Sequence, residues 1–377
     1  MNADKDSRDN TDSMKESRKA LIAMSGGVDS SVAALRMQQE GYCCIGITMK
    51  LYDNEDIGIP KGHTCCSLDD VEDARQVCFR LGMPHYTLNF KDDFAEKVID
   101  RFVDAYEKGD TPNPCIDCNR FMKFAKLYDK ARMLGCEKIV TGHYARVWYD
   151  AASGRWVLGR AKNPAKDQSY VLYFMTQEML AHTAFPLGEY TDKETVRSLA
   201  EMSGFTNAKK HDSQDICFVP DGDYAAFIRR RTGKEYPAGN FTDSEGHVLG
   251  RHKGQIHYTI GQRRGLGLAL PAPLYVCRKD LKANNIILSP DEGLYSSRLI
   301  ADDFNWICMT PGKEPVRVTA KPRYRAKEAP AAAYPLSDGR VLIEFDEPQR
   351  ALTTGQAIVL YSQDLVVGGG TITEIPK

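Results

Sequence analysis

Ser25-Gly26-Gly27-Val28-Asp29-Ser30 sets two glycines, two hydroxyls and a carboxylate between an apolar run, Leu21-Ile22-Ala23-Met24, and an amphipathic one, Val28 to Gln39. A strand that turns through glycines into a helix leaves backbone N–H groups unpaired at the helix start, and anions bind there. Gly26 and Gly27 let the backbone approach an oxyanion, Ser25 and Ser30 offer hydroxyl donors, and Asp29 can hold a divalent cation, expected to be Mg²⁺, against phosphates. No lysine precedes the last hydroxyl, so this is not the Gly-Lys-Ser/Thr loop that grips β- and γ-phosphates. Thiols supply the second chemistry. Cys115-x-x-Cys118 follows Thr111-Pro112-Asn113-Pro114, and Cys217 stands alone between Ile216 and Phe218. The CxxC pair reads as half of a zinc site, a redox dithiol or part of a cluster site; zinc needs two more ligands, and adjacent Cys65-Cys66 supply them in poor tetrahedral geometry. Cys217 by itself reads as a small buried hydrophobe. Beside a phosphate turn, a soft sulfur nucleophile suits thiolation of an activated electrophile.

The elements that must position these groups follow from periodicity. Val28, Val32, Leu35 and Met37 outline a helix stopping at Gly41, and Cys43 to Met49 reads as a second strand. Ser67 with Asp70 makes a capping box for a helix through Val71, Ala74, Cys78 and Leu81, and His85 to Leu88 is the next strand. Two helices, carrying Phe94 to Ala105 and Phe121 to Tyr128, flank the Pro-interrupted segment 109–119, where regular structure is forbidden. Lys138 to Thr141 ends in Gly142-His143-Tyr144. Alternating strands and helices predict an α/β, doubly wound parallel sheet with its ligand at the strand C-termini. Trp156 to Arg160 reads as a hairpin strand, Thr191 with Glu194 caps another helix, and Tyr224 to Arg231 opens a smaller domain. Beyond about residue 298 the period becomes two, with turns at Asp338-Gly339 and Gly368-Gly369-Gly370, which predicts an antiparallel barrel. The expected division is a disordered tail 1–19, a nucleotide domain 20–220, a small α+β domain 221–297 and a β-barrel 298–377.

Length and composition bound the class. The chain has 377 residues, 42% of them hydrophobic, enough for several ordinary cores, and its net charge is −1. No global field advertises a polyanionic partner, so a nucleic-acid surface must be local; Lys209, Lys210, Arg229 to Arg231, Arg263 and Arg264 are candidate phosphate clamps. The polar first 19 residues carry no secretion or import pattern, and no apolar stretch spans a bilayer, which points to the cytoplasm. Eleven cysteines in a reducing compartment point to thiol chemistry or metal rather than a disulfide framework.

The turn resembles the SGGxDS signature of PP-motif ATP pyrophosphatases. Met24 to Ser30, Thr111-Pro112-Asn113-Pro114 with Cys118-Asn119, Thr141-Gly142-His143-Tyr144, Lys166-Asp167-Gln168-Ser169-Tyr170, Ile216-Cys217-Phe218, Arg323-Tyr324-Arg325 and Gly355-Gln356, in that order, resemble the tRNA-specific 2-thiouridylases. The resemblance implies that ATP adenylates the C2 oxygen of the wobble uridine in the tRNA anticodon loop. A persulfide on Cys217, loaded by a sulfur-relay donor or cysteine desulfurase, then supplies sulfur, with Cys118 as partner thiol. It implies a nucleotide site at Ala23, Met24, Ser25, Gly26, Gly27, Val28, Asp29, Ser30, Met49 and Gly142. It also implies tRNA contacts at Pro112, Asn113, Pro114, His143, Lys166, Asp167, Gln168, Arg323, Tyr324, Arg325 and Gln356. The chain departs from the pattern at Cys115, where the family carries an Asp proposed as general base. Either Asp117 takes that role or Cys115 acts as a third thiol, and Cys115, Cys118 and Cys217 are also a candidate ligand set for an iron–sulfur cluster. Two other functions compete: a PP-motif ligase amidating a carboxylate, which needs no cysteines, and a metal-stabilised RNA-binding protein. The segment Asp212 to Phe218 is expected to rearrange with tRNA.

Overall fold

Strand β1 (Lys19–Ala23) buries Ala20, Leu21 and Ile22 completely because it is flanked on both edges and covered on both faces. It pairs in parallel with β2 (Cys43–Lys50) and β4 (Lys138–Val140), and the sheet runs β3-β2-β1-β4-β7, with β3 at His85–Asn89 and β7 at Thr183–Ala184. The computed structural model describes residues 18–53, 68–210 and 216–376. The tail 1–17, Cys65-Cys66, Ser67 of the expected capping box and Asp212 to Asp215 lie outside them.

Helix α1 (Val28–Gln39), α2 (Leu68–Arg80) and α6 (Lys193–Met202) cover one sheet face, where Val32, Ala33, Ala74, Val77, Val196 and Ala200 share one core. The other face receives the helical stretch Leu127–Met133, whose Leu127 and Ala131 pack on Leu21, Ile47 and Ile139. Helices on both faces of a parallel sheet make the doubly wound arrangement that the alternation predicts. Asp192, not Thr191, caps α6, its carboxylate accepting from Thr195 N at 2.6 Å. Helices α3 (Lys91–Phe94, Ala95–Asp100, Arg101–Glu107) and α4 (Pro114–Asp117, Cys118–Lys126, Leu127–Met133) each run on through a π-helical middle, and the two π stretches pack together.

The hairpin β5 (Ala145–Asp150) and β6 (Arg155–Arg160), expected to belong to the nucleotide domain alone, extends the C-terminal sheet: β6 meets β17 (Leu365–Glu374) at Gly159 and Leu365. After the short α5 (Gln177–Ala181) and α7 (Tyr224–Thr232), a four-stranded sheet orders β10-β11-β8-β9, with β8 at Gly239–Thr242, β9 at Val248–His252, β10 at Tyr275–Asp280 and β11 at Asn285–Ser289. Six strands then close a barrel: β12 (Tyr295–Trp306), β13 (Val316–Lys321), β14 (Ala329–Pro335), β15 (Val341–Arg350), β16 (Ala357–Ser362) and β17 (Leu365–Glu374), with β12 pairing β17 at the seam. Gly368-Gly369-Gly370, read from sequence as a turn, lies inside β17. A Cβ on Gly369 would sit 2.8 Å from the Tyr173 ring, and one on Gly370 2.7 Å from the Asp302 carbonyl oxygen, so these glycines admit close neighbours on both faces of a strand. The alanine-rich Ala329 to Ala333 is likewise a strand, with Ala331 and Ala333 filling the barrel core. No helix among the described residues is long and apolar enough to cross a membrane.

At the C-terminal end of the parallel sheet, Gly142 abuts the first turn of α1: a Cβ there would stand 2.8 Å from the Asp29 carbonyl carbon and from Ser30 N. Gly142→Ala is therefore expected to destabilise the fold by about 1–3 kcal/mol through backbone overpacking, measured by urea denaturation; an unchanged midpoint would contradict this packing.

Candidate active site at the strand ends

The glycine turn is held from inside. Ser30 Oγ donates to Gly27 O at 2.9 Å and accepts from Ser25 N at 3.2 Å, and Ser31 Oγ donates to Gly27 O at 3.0 Å. Asn207 Nδ2 reaches over from the loop after α6 to donate to Gly26 O at 2.8 Å and to Ser31 Oγ at 3.0 Å. Gly26 has φ +73°, and a Cβ there would run into the Asp70 backbone at the start of α2, so both conformation and space require glycine. Gly27, with φ −89° and ψ 160°, takes the N-cap position, and no side chain caps α1. The first-turn N–H groups are thus left to a ligand, with Asp29 half-exposed beside them. Asp29 Oδ1 is already engaged: Lys193 Nζ lies 2.5 Å away and Tyr144 OH donates at 2.8 Å. Hard oxygen donors at a helix start suit a Mg²⁺-nucleotide, which Asp29 and the seryl hydroxyls would hold. Lys193 and Asn207 were not singled out from sequence, and Tyr144 was quoted within Thr141 to Tyr144 without a role of its own. Tyr144 closes a quoted motif, whereas Lys193 and Asn207 lie far along the chain and carry no local signal.

The thiols come from a loop and a helix start on the neighbouring side. Pro114 occupies the first turn of α4, and the Asn113 side chain caps it, accepting from Cys115 N at 3.2 Å. Cys115 is exposed; Cys118, one turn on, is buried. Cys118 packs with Phe94, Phe102, Met122 and Phe218 in an apolar cluster, and Cys217 packs against that same cluster while its carbonyl accepts from Tyr52 OH at 3.0 Å. The fold thereby brings two sequence-distant cysteines to one core. Burial pushes the Cys118 thiol above its ordinary range, with Lys123 opposing and Asp117 adding to the rise. Burial also raises the Asp117 carboxyl, against the pull of Arg101, whose Nε stands 3.4 Å from Oδ2. A raised carboxyl is a stronger base than an ordinary aspartate. Among the described residues, the only set of three or more metal-ligating side chains whose donor atoms converge within 4.8 Å is Asp243, Glu245 and His247, on a distant hairpin. The three site thiols are not so gathered in this conformation.

The expected tRNA residues divide. Tyr324 is exposed near the exposed Cys115; burial of its inner edge raises the phenol, Asp167 and the Cys115 thiol add to the rise, and Arg325 and Lys166 pull against it. Lys166, Asp167, Tyr324 and Arg325 thus share one neighbourhood with Cys115. Gln356 Nε2 donates to Thr111 O at 2.5 Å, just ahead of Pro112. Gln168 pairs with the Tyr144 backbone, its Oε1 accepting from Tyr144 N at 2.9 Å. His143 lies inside the protein between Phe124 and Phe185, its Nδ1 2.7 Å from Thr141 Oγ1, and burial lowers its pKa well below the ordinary value, so it is a neutral ring. Arg323 is also turned inward, donating to Ile260 O, Ala351 O and Thr353 Oγ1. Lys210, a candidate phosphate clamp, pairs instead with Asp70 and Asp73 at 2.5 and 2.6 Å. Met24 is buried, and Met49, partly buried, bridges the clusters on β1 and around Cys118.

The contrast between the two thiols of the CxxC pair has a direct readout. Iodoacetamide is expected to label Cys115 first, and Cys118 only at pH values above those at which an ordinary thiol reacts, because the thiolate is the nucleophile and its pKa is raised. Peptide mass spectrometry across pH checks this; equal rates at Cys115 and Cys118 would contradict the burial.

Comparison with known proteins agrees with the geometry along the chain. Residues 18–221 match the tRNA methyl transferase HUP domain family, residues 225–290 the tRNA methyl transferase PRC-barrel domain, and residues 296–372 the aminomethyltransferase β-barrel domain. The tRNA-specific 2-thiouridylase MnmA of Acetivibrio thermocellus is 50% identical over 94% of this chain and 99% of its own. The MnmA proteins of Moorella thermoacetica and Clostridioides difficile are 52% and 48% identical over 95% and 94% of this chain, covering 100% and 98% of theirs. With the glycine turn, the Pro-flanked thiol and the closed barrel in one chain, and with identity near one half from end to end, the chain belongs to the tRNA-specific 2-thiouridylase family.

Proposed function

We propose that the protein converts the wobble uridine of tRNA to 2-thiouridine in two coupled steps. The C2 oxygen attacks the α-phosphorus of ATP bound at Ser25 to Ser30, forming an O-adenylate and releasing pyrophosphate. The terminal sulfur of a Cys217 persulfide attacks C2, AMP leaves with the former C2 oxygen, and the base is joined to Cys217 through a disulfide. The Cys118 thiolate then attacks the Cys217 sulfur, which frees the C2 thiocarbonyl and leaves a Cys118–Cys217 disulfide for a cellular thiol to reduce. A sulfur-relay donor or cysteine desulfurase reloads Cys217. Mg²⁺, held by Asp29 and the phosphates, supplies charge neutralisation at the triphosphate when bound.

The observation that carries this reading is that Cys118 and Cys217 pack in one apolar cluster, at the end of a loop beside which Tyr324, Lys166 and Arg325 gather. A thiol and a persulfide sulfur in a water-poor cluster are shielded from hydrolytic side reactions. An extruded base from a single-stranded anticodon loop needs an aromatic face and nearby cations, which Tyr324, Lys166 and Arg325 offer. Asp117, with its raised carboxyl, is the candidate base for the Cys118 proton. The reaction belongs in the cytoplasm, where unmodified tRNA is found. A ligase acting on a carboxylate has no use for two sequestered thiols. An iron–sulfur reading requires Cys115, Cys118 and Cys217 to converge, whereas Cys115 is exposed and Cys118 is buried in its apolar cluster.

Nucleoside mass spectrometry of unmodified tRNA incubated anaerobically with the protein, Mg-ATP, a reducing thiol, and a cysteine desulfurase with cysteine as the persulfide source, with and without iron, tests this. Wild-type protein is expected to form 2-thiouridine without iron, Cys118→Ala and Cys217→Ala to form none, Cys115→Ala to retain activity, and Asp117→Asn to slow by about 10²–10⁴-fold. Product formed only with iron, and lost in all three cysteine variants, would replace the persulfide route with a cluster.

A further inference from the structure

The glycine turn has no lysine of its own, yet one reaches it from another part of the chain. Lys193 is the first residue of α6, where the Asp192 cap fixes the helix start, and its stem passes the Tyr144 ring, with Nζ 5.6 Å from the centroid. Only 9% of the side chain is exposed, and the ammonium lies 2.5 Å from Asp29 Oδ1, the oxygen that also accepts from Tyr144 OH. A nearly buried lysine is tolerated when its charge is matched, and Asp29, at the mouth of the phosphate-binding turn, is a carboxylate that matches it.

That pairing has two consequences once a triphosphate enters. An unpaired Asp29 carboxylate would repel the incoming phosphates, so the turn needs a cation at this spot. The same carboxylate cannot offer Oδ1 to a metal ion while Lys193 and Tyr144 occupy it. We propose that Lys193 is the cation that grips the ATP phosphates in this protein, and that it exchanges Asp29 for phosphate oxygens as the nucleotide binds, so that Asp29 becomes available to a divalent ion only together with ATP. The exchange keeps every charge matched at each stage: carboxylate with ammonium before binding, ammonium with phosphate and carboxylate with metal afterwards. Lys193 thereby does from a distant helix what the lysine of a Gly-Lys-Ser/Thr loop does from within it. The proposal rests on the turn being the ATP site.

Binding, rather than turnover, separates the possibilities. Titrating the full-length protein with α,β-methylene-ATP by calorimetry, and with Mn²⁺ alone by electron paramagnetic resonance, covers both halves in wild type and in the Lys193→Met, Lys193→Gln and Lys193→Arg variants. Lys193→Met and Lys193→Gln are expected to weaken nucleotide binding by about 10- to 100-fold, the scale of a lost charge-assisted contact, with Lys193→Arg recovering most of it. The same two variants are expected to bind Mn²⁺ without nucleotide several-fold more tightly than wild type, because Asp29 is released. A purely structural strut would instead lower Tm in all three variants and leave Mn²⁺ binding in the absence of nucleotide unchanged, which overturns the proposal. Wild-type binding that Lys193→Met and Lys193→Gln retain in full overturns the role of Lys193 alone; no nucleotide binding in the wild type overturns the assignment of the turn itself.

Discussion

Pro112, in the loop between α3 and α4, carries no N–H and bars regular pairing there, and the rest of the site depends on what holds the neighbouring Thr111 backbone instead. The barrel does. Thr354 O accepts from Thr111 N at 3.0 Å, Gln356 Nε2 donates to Thr111 O at 2.5 Å, and Thr354 Oγ1 donates to Asp110 at 2.5 Å. Gly355, at φ +82°, lets the barrel backbone come this close, since a Cβ there would stand 2.8 Å from Asp110 Cβ. The C-terminal barrel is therefore part of the apparatus that holds the Asn113 cap, and with it Cys115 and Cys118, in place. The β5–β6 hairpin ties the same barrel back to the parallel sheet from the other side.

With that loop fixed, two unlike environments stand side by side. The glycine turn is polar, with hydroxyls, helix-start N–H groups and the Asp29–Lys193 pair, and it suits the highly charged phosphates. The thiol cluster is apolar, lined by Phe94, Phe102 and Phe218, and it keeps Cys118 protonated at rest. A protonated, sequestered thiol is protected from stray oxidation but is a weak nucleophile. Activation then requires a base, and Asp117 is adjacent in sequence with its carboxyl raised by the same burial. In the proposed reaction, a substrate base would connect these two environments.

Much of this was legible in the sequence where the signal is local. The strand–glycine–helix turn, the boundaries of α1 and the period-two strands of the barrel follow from short-range spacing, and the ordered motifs pointed to the family. Long-range features were not legible. Nothing near Lys193 or Asn207 announces that they meet residues 26–31, because those contacts are made by folding the chain back over the sheet end. Motif position alone put His143 and Arg323 at the RNA; the structure sets His143 in an aromatic pocket and has Arg323 donate to two carbonyls and the Thr353 hydroxyl. The triple glycine reads as a turn because glycine usually punctuates; here Tyr173 and Phe304 take the space that side chains would fill.

The central claim is that ATP is spent on the C2 oxygen of a uridine, at the turn, so that sulfur can replace it. The most direct measurement uses tRNA carrying ¹⁸O at C2 of the wobble uridine, incubated with the protein, Mg-ATP and a sulfur source, with the AMP released analysed by mass spectrometry. The account predicts that each AMP formed with a 2-thiouridine carries one ¹⁸O from the base. Unlabelled AMP accompanying thiolated tRNA would contradict it, because the oxygen would then have left by a route that the adenylate does not share.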